Sequence, residues 1–210
     1  MFVRLCYACK RDFAVISLLD GNTLFRRESA GEIDEGFGGY GWAGASRAIY
    51  LYHPGGVAES GEPLPEELRV VDVSQSPAKD DRLVALEKER CGGLSASADG
   101  KRVVLGCSAE TGEYRLVLFD TASGARTNTS AAGLSPSLSP DGSRIAYTRD
   151  GDVFVYTVDT AKETRLTDDP FYERRALFSA DGRRVYFESQ AEDPTFKGRT
   201  AGVVAWVDVP

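Results

Sequence analysis

The chain has 210 residues, a formal net charge of −7, and an ordinary balance of 42% apolar and 27% charged residues, which excludes a disordered polymer. Its negative balance repels phosphate, and Arg174-Arg175 and Arg183-Arg184 are pairs rather than clusters, so nucleic acid is not an expected partner. No apolar run comes near the ~20 residues that cross a bilayer, and the start at Met1 lacks the charged and apolar regions of a secretion signal. A cytoplasmic location is expected, or a periplasmic one for a piece of an exported parent.

From the N-terminus, Phe2–Cys9, Phe13–Leu19 and Thr23–Arg26 predict three strands, with Asp20-Gly21 as the turn before the last. Gly41–Gly44, Ala48–Tyr52 and Leu68–Val73 predict three more, separated after the second by a long, acidic, Gly- and Pro-rich connection, His53–Glu67. Three segments then align without gaps: Ser97-Ala98-Asp99-Gly100-Lys101-Arg102-Val103, Ser139-Pro140-Asp141-Gly142-Ser143-Arg144-Ile145 and Ser179-Ala180-Asp181-Gly182-Arg183-Arg184-Val185. Their Asp-Gly pairs lie 42 and 40 residues apart, close to the ~40–45 residues of a four-stranded propeller blade. Glycine supplies the positive φ of a tight turn and aspartate caps it.

Each unit reads as strands a to d. In one, Pro136–Ser139 is a, Arg144–Arg149 is b, Asp152–Val158 is c and Thr164–Thr167 is d, with turns at Asp150-Gly151 and Asp159–Lys162. The preceding unit has Tyr114–Phe119 as c and Thr121–Gly124 as the following turn. Val203–Val207 is strand c of the last unit. The c strands are apolar along both faces, which requires cover on both sides, as between the blades of a propeller. The expected fold is therefore an all-β propeller of about five four-stranded repeats, near 1–30, 38–88, 91–130, 133–168 and 172–210. It is incomplete at both ends, since the first repeat starts at b and the fifth stops at c. It is either an open arc or a ring with thin seam blades, and an arc leaves open sheet edges for self-association.

The Ser-Pro/Ala-Asp-Gly turn, the Arg-Ile/Val-x-Tyr/Phe strand after it and Leu166-Thr167 resemble the WD40-like propeller repeats of the TolB family and of the N-terminal domains of prolyl-oligopeptidase-type peptidases. The resemblance implies a propeller fold and leaves the function open.

Little catalytic chemistry is visible. His53 is the only histidine, which excludes a two-histidine zinc motif. No G-x-S-x-G elbow is present; Gly93-Leu94-Ser95-Ala96-Ser97 fails at its last position. The Asp-rich turns at Asp20-Gly21-Asn22 and Asp150-Gly151-Asp152 lack the spaced oxygens of a calcium loop. No cofactor or metal is expected. Cys6-x-x-Cys9 on one strand would point its thiols to opposite faces, and with Cys91 and Cys107 these are expected to be free thiols, because a domain this size does not need disulfides.

The expected function is a non-catalytic scaffold that binds a protein or peptide at the face carrying the d–a and b–c loops. That surface includes His53, Arg149, Asp150 and the connection Asp168–Arg174, with Phe171, Tyr172 and Arg174 as the interface-type side chains. Phe171 and Tyr172 could equally pack between blades. The rival readings are a regulatory propeller of a larger serine peptidase and a propeller lyase or glycosidase.

Overall fold

The computed structural model describes residues 2–3, 12–28, 36–86, 89–108, 112–192 and 200–210. Among these there is no helix, and hence none long and apolar enough to cross a membrane. Five antiparallel sheets follow one another along the chain. Blade 1 holds β1 (Phe2–Val3), β2 (Phe13–Ile16) and β3 (Thr23–Arg27). Blade 2 holds β4 (Gly36–Trp42), β5 (Arg47–His53), β6 (Glu66–Asp72) and β7 (Lys79–Leu86). Blade 3 holds β8 (Arg90–Ala96), β9 (Arg102–Ser108), β10 (Tyr114–Asp120) and β11 (Arg126–Ala132). Blade 4 holds β12 (Leu134–Leu138), β13 (Arg144–Arg149), β14 (Asp152–Thr157) and β15 (Lys162–Arg165). Blade 5 holds β16 (Glu173–Phe178), β17 (Arg184–Glu192) and β18 (Thr200–Asp208). Most of Phe2–Cys9 lies outside the described residues.

The repeated turn explains why the blades form where they do. Gly142 adopts φ 72° and donates its amide to the Ser139 carbonyl at 2.8 Å. Ser139 Oγ donates to Asp141 Oδ1 at 2.6 Å and accepts from the Arg144 amide at 2.9 Å. Ser97 and Ser179 do the same in their own turns. The serine thus ties the turn to the first residue of strand b through both its amide, which donates to the Arg144 carbonyl at 2.8 Å, and its hydroxyl, while Asp141 accepts the Ser143 amide at 3.1 Å.

Packing follows from the two apolar faces of strands b and c. Alternate residues of each blade are buried against the blade before and the blade after. Ala48, Tyr50 and Tyr52 meet Phe13 and Val15 between blades 1 and 2. Ile49, Leu51 and Leu68 meet Val103 and Leu105 between blades 2 and 3. Val104, Leu116 and Leu118 meet Ile145, Tyr147 and Tyr156 next, and Ala146, Val153 and Val155 meet Ala176, Val185 and Phe187 last. Each fully buried Ile, Leu or Phe contributes about 1.5–3 kcal/mol to such a contact. Among the described residues no buried cluster joins blade 5 to blade 1, and the sheets form an incomplete propeller.

Three expectations need correction. Strand a of blade 2 begins at Gly36, not Gly41; its glycines hide it from any propensity reading. They are needed because a Cβ on Gly39 would lie 2.8 Å from the Leu94 backbone nitrogen. The last strand of blade 4 starts at Lys162, not Thr164, because Ala161 takes φ 52° and closes the turn sooner. Finally, Cys91 and Cys107 are not free thiols but a disulfide. They face each other directly across β8 and β9, with Cα atoms 4.1 Å apart, a register that the sequence conceals behind an irregularity between Gly92 and Ser95. Cys6 and Cys9 lie outside the described residues.

Candidate binding site on the loop face

The b–c turns and the d–a connections share one end of the blades, opposite the Ser-x-Asp-Gly turns that join strands a and b. A cavity of about 420 Å³ opens there, where blades 3, 4 and 5 meet. Blade 3 contributes Glu113 and Tyr114 at the start of β10. Leu134 comes from the start of β12, Thr148 and Arg149 from the end of β13, and Asp150-Gly151 from the turn after it. Tyr172 and Glu173 close it from the connection into β16.

Asp150 holds φ 55° and Gly151 φ 92°, the pair of left-handed residues that a two-residue hairpin demands. The Gly151 carbonyl accepts the Glu173 amide at 2.8 Å, which fixes the connection onto the turn. A Cβ on Gly151 would come within 3.0 Å of the Tyr172 ring, so that ring rests directly on the turn. Phe171 and Tyr172 are exposed at 41% and 53%, which decides against their packing between blades.

Arg149 is less free than its sequence position suggests. Its guanidinium grips Glu163 at 3.0 and 2.5 Å and lies 4.2 Å from the centre of the Phe154 ring. The hydrogen bond from Arg149 holds the Glu163 carboxyl below its ordinary range, despite partial burial. Tyr147 also donates to Glu163, and burial pushes the Tyr147 phenol well above its usual value. The cation is thereby neutralised, and Glu113, Asp150 and Glu173 leave the cavity acidic.

Glu173 sits at the base of the site with only 1% of its surface exposed. Thr167 donates to its Oε2, while Oε1 has no hydrogen-bond partner. Burial, followed by the nearby Asp169 and Asp152 charges, raises its pKa against the opposing Thr167 bond. Its place in the Asp168–Arg174 connection was legible; its burial was not, because a loop carboxylate reads as solvated.

The remaining candidates lie elsewhere. Arg174 is exposed on β16 and does not line the cavity. His53 ends β5 in blade 2, where its Nδ1 lies 3.0 Å from Glu66 Oε1. Glu66 in turn accepts the Cys91 amide at 3.0 Å. The structure therefore gathers Arg149, Asp150 and Tyr172 and leaves His53, Phe171 and Arg174 outside. Cys91, Cys107 and Glu89 place three potential metal-ligand atoms within 4.8 Å of one another, but the two sulfurs are bonded to each other and Glu89 is held by Arg126 at 2.7 and 2.8 Å.

Residues 97–178 match the model of the dipeptidyl peptidase IV (DPP IV) N-terminal region. Among solved structures, TolB from Acinetobacter baumannii is similar at 16% identity and a TM-score of 0.63, over 94% of this chain and 49% of that one. A puromycin-hydrolyzing peptidase from Mycobacterium tuberculosis is similar at 16% identity and a TM-score of 0.63, over 98% of this chain and 33% of that one. A prolyl endopeptidase is similar at 15% identity and a TM-score of 0.53, over 78% of this chain and 26% of that one. The chain spans about half the length of the TolB structure and about a third of the mycobacterial peptidase. No curated protein sequence matches it. The fold is a β-propeller of the TolB and peptidase type.

Proposed function

We propose that the chain is a non-catalytic propeller scaffold that holds a protein or peptide partner at its loop face. The observation that carries this reading is the acidic cavity at the junction of blades 3, 4 and 5, rimmed by the exposed rings of Tyr114 and Tyr172. Rigid aromatic side chains around a recess are the usual anchors of an interface. Catalysis finds less support, since the lone histidine is outside the cavity and its partner is a carboxylate. Selection of peptides on the purified chain from a random phage library tests the proposal. Recovered peptides should lose binding by about tenfold or more with Tyr172→Ala and with Asp150→Ala. Failure to recover binders, or binders indifferent to both variants, overturns it.

The match to the DPP IV N-terminal region favours a second reading, a regulatory propeller of a peptidase. A catalytic domain encoded beyond Pro210 in the parent gene would support it, and its absence there would remove it.

A further inference from the structure

The outer face of blade 5 differs from every other blade face that looks toward the C-terminal end of the series. In blades 2, 3 and 4 the second residue of that face on strand b is Ile49, Val104 or Ala146, each fully buried by the next blade. The blade 5 counterpart is Tyr186, 38% exposed. Across the ladder, Val70, Leu118 and Val155 correspond to Trp206, 50% exposed, and Leu68, Leu116 and Val153 to Val204, 77% exposed. Leu177, Tyr186 and Trp206 face one another in register and form an uncovered apolar row across three strands.

The polar contacts that join one blade to the next are also altered. Ser95 and Ser137, paired with Val104 and Ala146, accept amides of the following blade from Leu138 and Phe178, both at 3.0 Å. Leu177 stands at that position in blade 5 and can accept nothing. Arg102 and Arg144 donate to the next blade's turn, at the Gly142 and Gly182 carbonyls, 3.0 and 2.8 Å away. Their counterpart Arg184 lies flat on Trp206, 4.1 Å from the ring, and binds Asp208 at 3.2 Å. Compared with blades 3 and 4, this face keeps the arginine, exchanges the serine acceptor for Leu177, and carries larger apolar side chains in Tyr186 and Trp206.

Its charges are self-complementary. Along β17 the same face carries Arg184 at one end, Tyr186 in the middle and Glu188 at the other, with Arg175 beside Glu188 at 2.8 Å. A two-fold axis parallel to the sheet and above this face, running across the strands at Tyr186, sets the apolar row on that of a second copy. The same operation brings each Arg184 over the Glu188 of the other copy, an isologous arrangement that closes on two chains.

We infer that this face of blade 5 is a self-association surface, occupied by the same face of a second copy of the chain. Sheet faces stack in this way with their strands within about 30° of each other. Multi-angle light scattering on the full chain, from micromolar to submillimolar concentration, should show a dimer. Trp206→Glu should weaken it by about tenfold or more while leaving the far-ultraviolet spectrum in place, because the side chain is exposed in the single chain. Arg184→Glu and Glu188→Arg should each weaken the dimer, and the double variant should restore it. A monomer throughout, an open-ended polymer, a dimer indifferent to Trp206→Glu, or no rescue in the double variant would each overturn the inference.

Discussion

The hydroxyl of Ser139 and the carboxylate of Asp141 act as one unit, and their chemistry sets an acid limit on the fold. Hydrogen bonds from Ser139 and then from the Ser143 amide hold the Asp141 carboxyl at about 2, against an ordinary 3.8. Asp99 and Asp181 shift in the same direction through their own turn bonds. A carboxyl lowered on folding adds stability that is complete above its unfolded pKa and fades as pH falls toward the folded one. Thermal melts should therefore weaken between about pH 4 and 2, and Asp141→Ala should flatten that limb; an unchanged acid limb would refute the linkage. Glu173 has the opposite sign. Its pKa is raised, so the charged form costs stability as pH climbs past the ordinary 4.5. Glu173→Gln, which removes the buried charge and keeps the shape, should stabilise the protein at pH 7 by roughly 1 kcal/mol, the scale of one pKa unit of differential interaction. The gain should shrink near pH 4, and a loss of stability at pH 7 would contradict this account. The three Ser-x-Asp-Gly turns were legible because their chemistry is local. The fate of Glu173 was not, because it depends on Thr167 and Asp169 converging in space.

At the scale of the element, the turn glycines are equal in sequence and unequal in surroundings. Gly100 and Gly182 have φ of 67° and 69°. An alanine Cβ at Gly100 would lie 2.3 Å from the Ala43 carbonyl carbon of blade 2, whereas at Gly182 it would meet the Pro140 ring at 3.3 Å. Both substitutions carry the ~1–2 kcal/mol penalty of a left-handed alanine, but only Gly100→Ala must also displace a neighbouring backbone. Denaturant melts should therefore show Gly100→Ala costing at least about 2 kcal/mol more than Gly182→Ala, within the range that marks a forced steric clash. Equal losses would mean that the blade 2–blade 3 contact is looser than described. Strands b and c were legible from their apolar runs, and Arg144–Arg149 was placed to the residue. Strand a was harder to read. In blades 2 to 5 it carries a register shift, and in blades 3 to 5 Gly93, Ser135 and Arg175 accompany the shift with positive φ. Such a bulge carries no sequence mark when Ser or Arg occupies it.

For the whole molecule, five blades share four interfaces, so cover is unequal. Among the described residues, blades 2, 3 and 4 are packed on both faces, and blades 1 and 5 on one. Repeat arrays of this kind distribute stability through nearest-neighbour contacts, and local opening follows the density of buried contacts. Blade 3 has an additional tie. The Cys91–Cys107 disulfide closes β8 onto β9 across 16 residues of sequence, a loop size for which chain-entropy reasoning gives about 3 kcal/mol. Backbone hydrogen exchange should accordingly rank β9 and β13 as the slowest strands and β2 and β17 as faster. The measurement belongs on the Trp206→Glu variant, so that the outer face of blade 5 is uncovered whatever its association. Replacing both cysteines by serine should speed exchange throughout blade 3 and lower the melting temperature, with blades 1 and 5 still the first to open. Uniform protection across all five sheets would show instead that the propeller unfolds as one cooperative unit, and that the end blades draw stability from contacts beyond the described residues.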